Sequence, residues 1–442
     1  MARIASLTLA LFLVHAPAAL ALAGGGSSGY SGGGGGGGGG GYSGGGGSYG
    51  GGGSGSADGP WWVWFVIIGG IVLFTVFSSA VGAAKYRARR RARVARVKTA
   101  SAEAAQDDAY FAHDTVVAEA ERLFREAQAA WDARDHARLE AMIPSELWEE
   151  WKRRLDDFER KGWHNRVEVK SVDAEYVGIV NRADDAQDRC VVRLEATVRD
   201  YVVDRHGQRI KRSDSTSEIA TVAQYWTLGR HGDGWRLVSI EERAEGDHQL
   251  GAKLVTTPSE DERLRDQSLV EGAVAEAPPE SVSTAEIADL DFDGDAQAAA
   301  NDLSLADPRF APDVLEAAAR RAVAGWAEAV DGEDDQLAAV ASPEALRELL
   351  YPNGQGTRLV VRGPKVERLR IVALDAAASP ATMTVEVDVN GRRYVENRDT
   401  AAVVSGSRDA EAAFTERWTM ALDGADDTPW RVVQAAGARA PA

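Results

Sequence analysis

Residues 225–238 read YWTLGRHGDGWRLV, and this stretch decides the fold. A hydrophobic run ends on Trp226-Thr227-Leu228, a Gly-Asp-Gly turn follows at 232–234, and Trp235-Arg236-Leu237-Val238 opens the next run. That pattern predicts two antiparallel strands joined by a tight hairpin. The frame returns near the end of the chain, where Trp418-Thr419-Met420 is followed across a Gly/Asp turn by Trp430-Arg431-Val432-Val433. Trp131 precedes Trp226 by 95 residues and Trp326 precedes Trp418 by 92. Two matching frames in the same order predict a duplicated fold.

Upstream of the first frame the period is helical. Val116, Ala120, Leu123, Phe124, Ala127 and Trp131 recur at three- and four-residue steps with charged residues between them. A second helix is expected after Pro144, carrying Leu147, Trp148, Trp151, Leu155 and Phe158 and stopped by Gly162. Beyond Gly162 the runs 167–180 and 190–198 read as strands, and His206-Gly207 as a turn. Helices followed by a meander of about four strands give an α+β domain with helices on one face of a curved, mostly antiparallel sheet. The region 309–438 repeats the order, with helices around Val314–Trp326 and Pro343–Leu350 and strand runs from Val366 onward. Residues 248–308, with Pro258, Pro278-Pro279 and an acidic run, read as a linker.

The amino end is different in kind. Residues 1–23 carry Arg3, an apolar run from Leu7 to Val14, and Ala21-Leu22-Ala23, the pattern of a secretory signal cleaved after Ala23. Of 46 glycines, 23 fall between Gly24 and Ser56, mixed only with serine and tyrosine, so residues 24–59 are expected to be disordered. Trp61 to Ala84 contains no charge, and as a helix spans about 36 Å, enough for a hydrocarbon core of about 30 Å. Tryptophans 61, 62 and 64 crowd one end of the 60–84 span. The stem 85–106 at the other end carries Lys85, Arg87, Arg89, Arg90, Arg91, Arg93, Arg96 and Lys98. The positive-inside rule then places the amino end outside and the bulk of the chain in the cytoplasm, as a single-pass protein of a bacterial inner membrane. The eight cations are expected to face the anionic leaflet. The helical stem is expected to hold the next domain away from the bilayer, and the small residues Ser78 and Gly82 offer a seat for a homo-oligomeric helix contact.

Net charge is −18, but residues 1–98 carry nine Lys/Arg against one acid, Asp58, so the remainder is more acidic still and is not expected to bind nucleic acid. One cysteine, Cys190, excludes an internal disulfide framework, a cysteine zinc finger and an iron–sulfur cluster. The seven histidines form no metal-ligand spacing. Asp289-x-Asp291-x-Asp293-Gly294 opens like a calcium loop, yet position 12 is Ala300, where a bidentate carboxylate belongs. No catalytic residue, cofactor site or metal site is therefore expected. Trp131, Trp148, Tyr176, Trp226 and Trp235 are the candidates for lining a pocket or meeting a protein partner. The rival reading is an enzyme using His164 with a carboxylate such as Asp184, Asp185 or Asp200.

Residues 107–247 resemble the carboxy-terminal domain of the mitochondrial inner-membrane translocase component Tim44 and its bacterial relatives. The resemblance is carried by Leu123-Phe124 to Trp131-Asp132, Pro144 to Trp148, and Tyr225–Leu228 to Gly234–Leu237. Residues 309–438 resemble it more faintly, through the tryptophan frame. The resemblance implies a cone-shaped fold similar to nuclear transport factor two, and a non-catalytic adaptor or scaffold that binds protein at a membrane. Bacterial relatives similarly place a signal, a Gly-rich stretch and one membrane helix before the domain. In this chain the first helix, Asp107 to Trp131, holds six acids and two arginines and lacks the basic face of an interfacial helix.

Overall fold

The computed structural model describes residues 22–25, 30, 62–212, 217–260, 290–424 and 428–439. Most of the expected signal, the glycine-rich tract and the centre of the linker lie outside the described residues. Residues Trp62–Asp107 form one unbroken helix, α1. Among the described residues no helix is long and apolar enough to cross a membrane. The expected span falls largely on residues 61–80, whose side chains lie outside the described set.

The first α+β unit follows α1. It contains α2 (His113–Ala133), α3 (His136–Met142) and α4 (Ser145–Arg160), then β1 (Trp163–Val180), β2 (Arg189–Asp204), β3 (Arg209–Ile210), β4 (Ile219–His231) and β5 (Gly234–Glu242). The sheet order is β1-β2-β4-β5, antiparallel throughout, with β3 paired to β2. Register shifts in β1 at Val169/Ser171 and Tyr176/Gly178 bend this long ribbon, as extra residues in one strand do. The helices α2 and α4 pack on β1. The α2 residues at helical spacing, from Val116 to Trp131, are all buried, as their period required.

The second unit repeats the plan. It contains β6 (Leu290–Phe292), α5 (Gly294–Ser304), α6 (Pro312–Ala329), α7 (Asp335–Val340), α8 (Pro343–Leu350), β7 (Thr357–Asp375), β8 (Thr382–Asn397), β9 (Val403–Gly406), β10 (Ala412–Leu422) and β11 (Trp430–Arg439). Its sheet runs β11-β10-β8-β7-β6, with β9 on β8, and β6 makes it mixed by pairing parallel to β7. The correspondence extends to single hydrogen bonds. Trp235 donates its indole N–H to the Tyr110 carbonyl at 3.1 Å, and Trp430 donates to Arg309 at 3.0 Å. Both carbonyls sit in a 3-10 turn opened by an aspartate cap, Asp108 or Asp307, just before the first long helix. Phe111 and Phe310 meet those indoles edge-on, with centroids 5.4 and 5.6 Å apart.

The linker is shorter than composition suggested. Residues Gly246–Leu250 form a 3-10 turn, and Val255 bridges Val180, so the first unit continues past residue 247. At the other end Ala296, Ala300 and Phe310 are buried in the second core. Asp291 belongs to β6 and Asp293 stands at the N-cap position of α5, so these two aspartates sit in a strand and at a helix start.

The stem is not a free spacer either. Tyr86, Arg90, Arg93, Val97, Ala100 and Ala104 lie at three- and four-residue steps, and α1 packs on β1 along this line. Arg93 is buried and donates to the carbonyls of Val177 and Ala252 at 2.6 and 2.8 Å, while Arg90 pairs with Glu175 at 3.1 Å. Burial holds the Arg93 guanidinium down at about 10, with Arg96 adding to the shift. Two of the eight expected lipid contacts are thus turned into the domain. Lys85, Arg87, Arg89, Arg91, Arg96 and Lys98 remain exposed.

Replacing Trp430 by phenylalanine keeps the ring and removes the donor, leaving the Arg309 carbonyl without that bond. The expected loss is about 1–3 kcal/mol, with Trp235→Phe costing a similar amount. Urea unfolding followed by circular dichroism checks both, and two unequal losses would break the equivalence of the two frames.

Candidate functional site

A cavity of about 840 Å³ lies where the two units meet, walled by α4 and β5 of the first and by residues of β7 and β8 of the second. Ion pairs tie the units together around it. Arg398 is 2% exposed and bonds Glu150 at 2.5 Å while reaching Glu149 at 3.1 Å. Arg154 pairs with Glu396, Arg153 with Asp399, and Arg182 with Glu328. Arg189 and Arg236 grip the two oxygens of Glu333 at 2.7 and 2.9 Å. Polar contacts to the backbone add register: Ser239 donates to the Asp331 carbonyl and Arg362 to the Ile240 carbonyl.

Close to the cavity, Glu241, His248 and Asp331 bring one ligand atom each within 4.8 Å of one another. His248 Nε2 meets Glu241 at 2.9 Å, and Gln249 donates to the other Glu241 oxygen. Gly363, at φ +59°, makes room, since a Cβ there would lie 2.6 Å from His248 Cγ. Arg362 bonds Asp331 directly and so supplies a cation to the cluster. Burial pulls the His248 imidazole down, but the charge and hydrogen bond of Glu241 outweigh it and raise the pKa overall. Burial likewise pushes Glu241 up, and His248 brings it below its ordinary value. Asp331 is pushed up to about 6 by burial and by Glu241, against the pull of Arg362. Within the cavity wall, burial also raises Glu242 while Gln224 donates to it. The cluster is a neutralised salt-bridge network more than a set of open ligands.

Residues 22–25 line part of the cavity beside the first unit. Leu22 and Ala23 are each 1% exposed. The Ala23 N–H donates to Gln128 Oε1 at 3.0 Å, and Arg154 donates to the Gly24 carbonyl. A little further on, the Tyr30 hydroxyl donates to Asp200 at 3.2 Å.

The five aromatic candidates do not line this cavity. Trp131, Tyr176, Trp226 and Trp235 are buried core. Trp131 donates to Asn165 at 2.7 Å and stands edge-on to Trp151, Trp226 donates to Gln224, and the Tyr176 hydroxyl lies 2.8 Å from Cys190 Sγ. Trp148 is partly buried and faces His136. The pocket-facing indole is instead Trp151, one turn along α4, with Gln128 and Arg154 beside it. Trp151 was among the tryptophans the sequence offers for such a role, whereas Gln128 and Arg154 were not, because a buried glutamine and an arginine on amphipathic helices look like ordinary surface or core positions. His164 points Nε2 at the Asp132 carbonyl at 2.8 Å. Burial, with Arg134 and Arg166 nearby, lowers its pKa. The Asp132 carboxylate is taken by Arg166 and the Val167 N–H, Asp200 accepts from Asn165, and Asp184 caps a turn, so none of the expected acids pairs with His164.

Residues 97–242 match the family model of the Tim44-like domain. No curated protein matches the chain. Among solved structures, similarity is found to the intermembrane space region of the chloroplast protein ARC6, at 11% identity and a TM-score of 0.23, covering 28% of this chain and 92% of that one. An Ntf2 like protein involved in plasmid conjugation also matches at 11% identity, with a TM-score of 0.17, covering 73% of this chain and 95% of that one.

Two outcomes follow from the interface. Arg398→Met leaves Glu150 buried without its cation and is expected to cost about 3–5 kcal/mol, recovered in large part when Glu150→Leu is added; a double-mutant cycle by thermal unfolding measures this. The folded state binds extra protons at Asp331 and His248, whose pKa values lie above their unfolded values. Their stabilisation is complete below the unfolded values and is lost as pH rises through about 6 and beyond. The Glu241 contribution runs the other way and is lost only as pH falls below the ordinary carboxylate range. Melting temperature should therefore fall between pH 5 and 8, and His248→Gln should flatten the upper part of that slope.

Proposed function

We propose that the chain is a membrane-anchored, non-catalytic adaptor of a bacterial inner membrane, whose two α+β units bind protein on the cytoplasmic side. The observation that carries this reading is the continuity of α1. Residues 62–84 of the charge-free run belong to the same unbroken helix as the stem, which is locked to the first unit by the buried Arg93 and by Tyr86, whose hydroxyl lies 2.9 Å from that of Tyr225. Any force or motion at the anchor is then transmitted to the Tim44-like domain through a rigid element. The exposed cations of the stem favour an anionic leaflet at about 1 kcal/mol each and fix the orientation. Protein transport or membrane-protein handling is the general role that a Tim44-like domain supports.

The enzymatic alternative is less well supported, because the His164 imidazole is engaged with a backbone carbonyl, while Asp184 caps a turn and Asp200 accepts from Asn165. Partner binding is better assigned to the cavity than to the aromatic core, since Trp131→Ala or Trp226→Ala would remove buried bulk and destabilise the fold by about 3–5 kcal/mol.

The test is fractionation and protease access in cells. Tagged chain should stay in membranes washed with alkaline carbonate, and protease added to intact spheroplasts should leave everything beyond Thr99 uncut. Release by carbonate, or digestion of that region from outside, would overturn the assignment.

A further inference from the structure

The segment Leu22–Gly25 makes specific contacts in the cavity wall. Gln128, itself 1% exposed, accepts from the Ala23 N–H, and its Nε2 has no hydrogen-bond partner among the described residues. Arg154 donates to the Gly24 carbonyl, so the peptide backbone is read on both sides of Ala23. Leu22 fills an apolar hole in the first core. Gly24 sits at φ +86°, and a Cβ there would meet Trp151 Nε1 at 3.1 Å and Ile240 Cδ1 at 3.2 Å. The buried Trp151 N–H also has no acceptor among the described residues. The cleft therefore selects an apolar residue, a small residue and a glycine in that order, by one hydrophobic anchor and by backbone hydrogen bonds. Tyr30, bonded to Asp200 and bridging Arg212, fixes the chain a few residues on.

We propose that this cleft is a segment-binding site whose occupant is the chain's own Leu22–Gly25, and that membrane insertion empties it, so that the cleft is free for a partner's segment only in the inserted protein. The proposal rests on the membrane-spanning reading above. Between Tyr30 and Trp62 the sequence has 31 residues, which at about 3.3 Å each could extend to about 100 Å, more than the rise of about 36 Å from Trp62 to Tyr86 along α1, so the cleft is within reach when both ends are on one side. A tether of that length raises the effective concentration of the segment to the millimolar range, so a small contact suffices for occupancy. Once residues 61–84 cross the bilayer, residues 22–25 and the first unit lie on opposite faces, and cleavage after Ala23 would remove Leu22 and Ala23 from the chain as well. The docked and the inserted arrangements then exclude each other.

The experiment uses the full chain carrying Ala23→Cys and Gln128→Cys, made by cell-free synthesis with and without inverted inner-membrane vesicles and treated with a short bis-maleimide. Native Cys190 is buried. The expected result is an internal crosslink without vesicles and none in carbonate-resistant chain that still retains residues 1–23, the uncut band being scored apart from chain cut after Ala23. No crosslink in the vesicle-free chain would overturn the cleft itself, whatever the topology. A crosslink persisting in carbonate-resistant chain would overturn the coupling to insertion. Chain that carbonate extracts completely would sink the membrane reading, and the emptying step with it, while the vesicle-free arm still reports on the cleft. A second measurement leaves the cleft residues native: Ala23→Cys alone should react slowly with a maleimide in vesicle-free chain. Adding Gly24→Val should speed labelling by about tenfold or more, because a β-branched residue at positive φ is strongly disfavoured. Equal rates would count against the docked segment.

Discussion

Each unit depends on one closure: an indole N–H at the start of the last strand donating to a carbonyl in the turn before the first long helix. Trp235 and Tyr110, Trp430 and Arg309 are far apart in sequence, and their bonds join the end of the sheet to the beginning of the helical layer. A phenylalanine from the same turn packs against each indole, so the bond is made in an apolar setting where an unpaired N–H would be costly. In the first unit the Arg230 guanidinium also lies over the Tyr110 ring, 3.3 Å from its centroid. With the ends held, the helices have one way to lie on the sheet, and the long central strands can bend around them.

The junction between the units is built differently. It is dominated by arginines of both units set against glutamates and aspartates of the other. Buried pairs of this kind add little net stability compared with apolar packing, but they penalise misalignment heavily, since a shifted unit strands a charge. The result is a junction with a defined register that can still enclose a polar cavity. An apolar seam of the same area would have collapsed into a continuous core. Asp331 shows the balance in one residue: it bonds Arg362 and is nevertheless raised, because burial and Glu241 outweigh the cation.

Much of this architecture was legible in the sequence, for identifiable reasons. The spacing of Val116 to Trp131 has one helical solution, and the alternation along 190–198 has one strand solution. The paired tryptophan frames announced the repeat because the closure needs Trp at a fixed place in each copy. Local pattern did not reveal contacts between segments distant in sequence. Arg93 looks like one more cation in a basic stem until Val177 and Ala252 are brought to it. Residues 290–310 look like acidic linker because β6 is three residues long and pairs with a strand some eighty residues later. The aromatic candidates were chosen by size, and size is what places them in the core. The cavity is lined instead by Gln128's neighbours and by charged residues whose partners lie in the other unit.

The stem then carries two demands at once. Sequence alone suggested a spacer, yet docking begins at Tyr86, two residues beyond Ala84. Arg93 lies nine residues past Ala84, a rise of about 14 Å along a helix. If residues 61–84 span the bilayer, the Tim44-like domain therefore begins at the membrane surface, within one or two Debye lengths of the headgroups. The six exposed cations of α1 occupy that same zone, so the charges that would orient the anchor would also hold an otherwise acidic domain against an anionic leaflet. One helix would thus set topology, attachment and distance together, because its inward face satisfies the domain while its outward face satisfies the lipid.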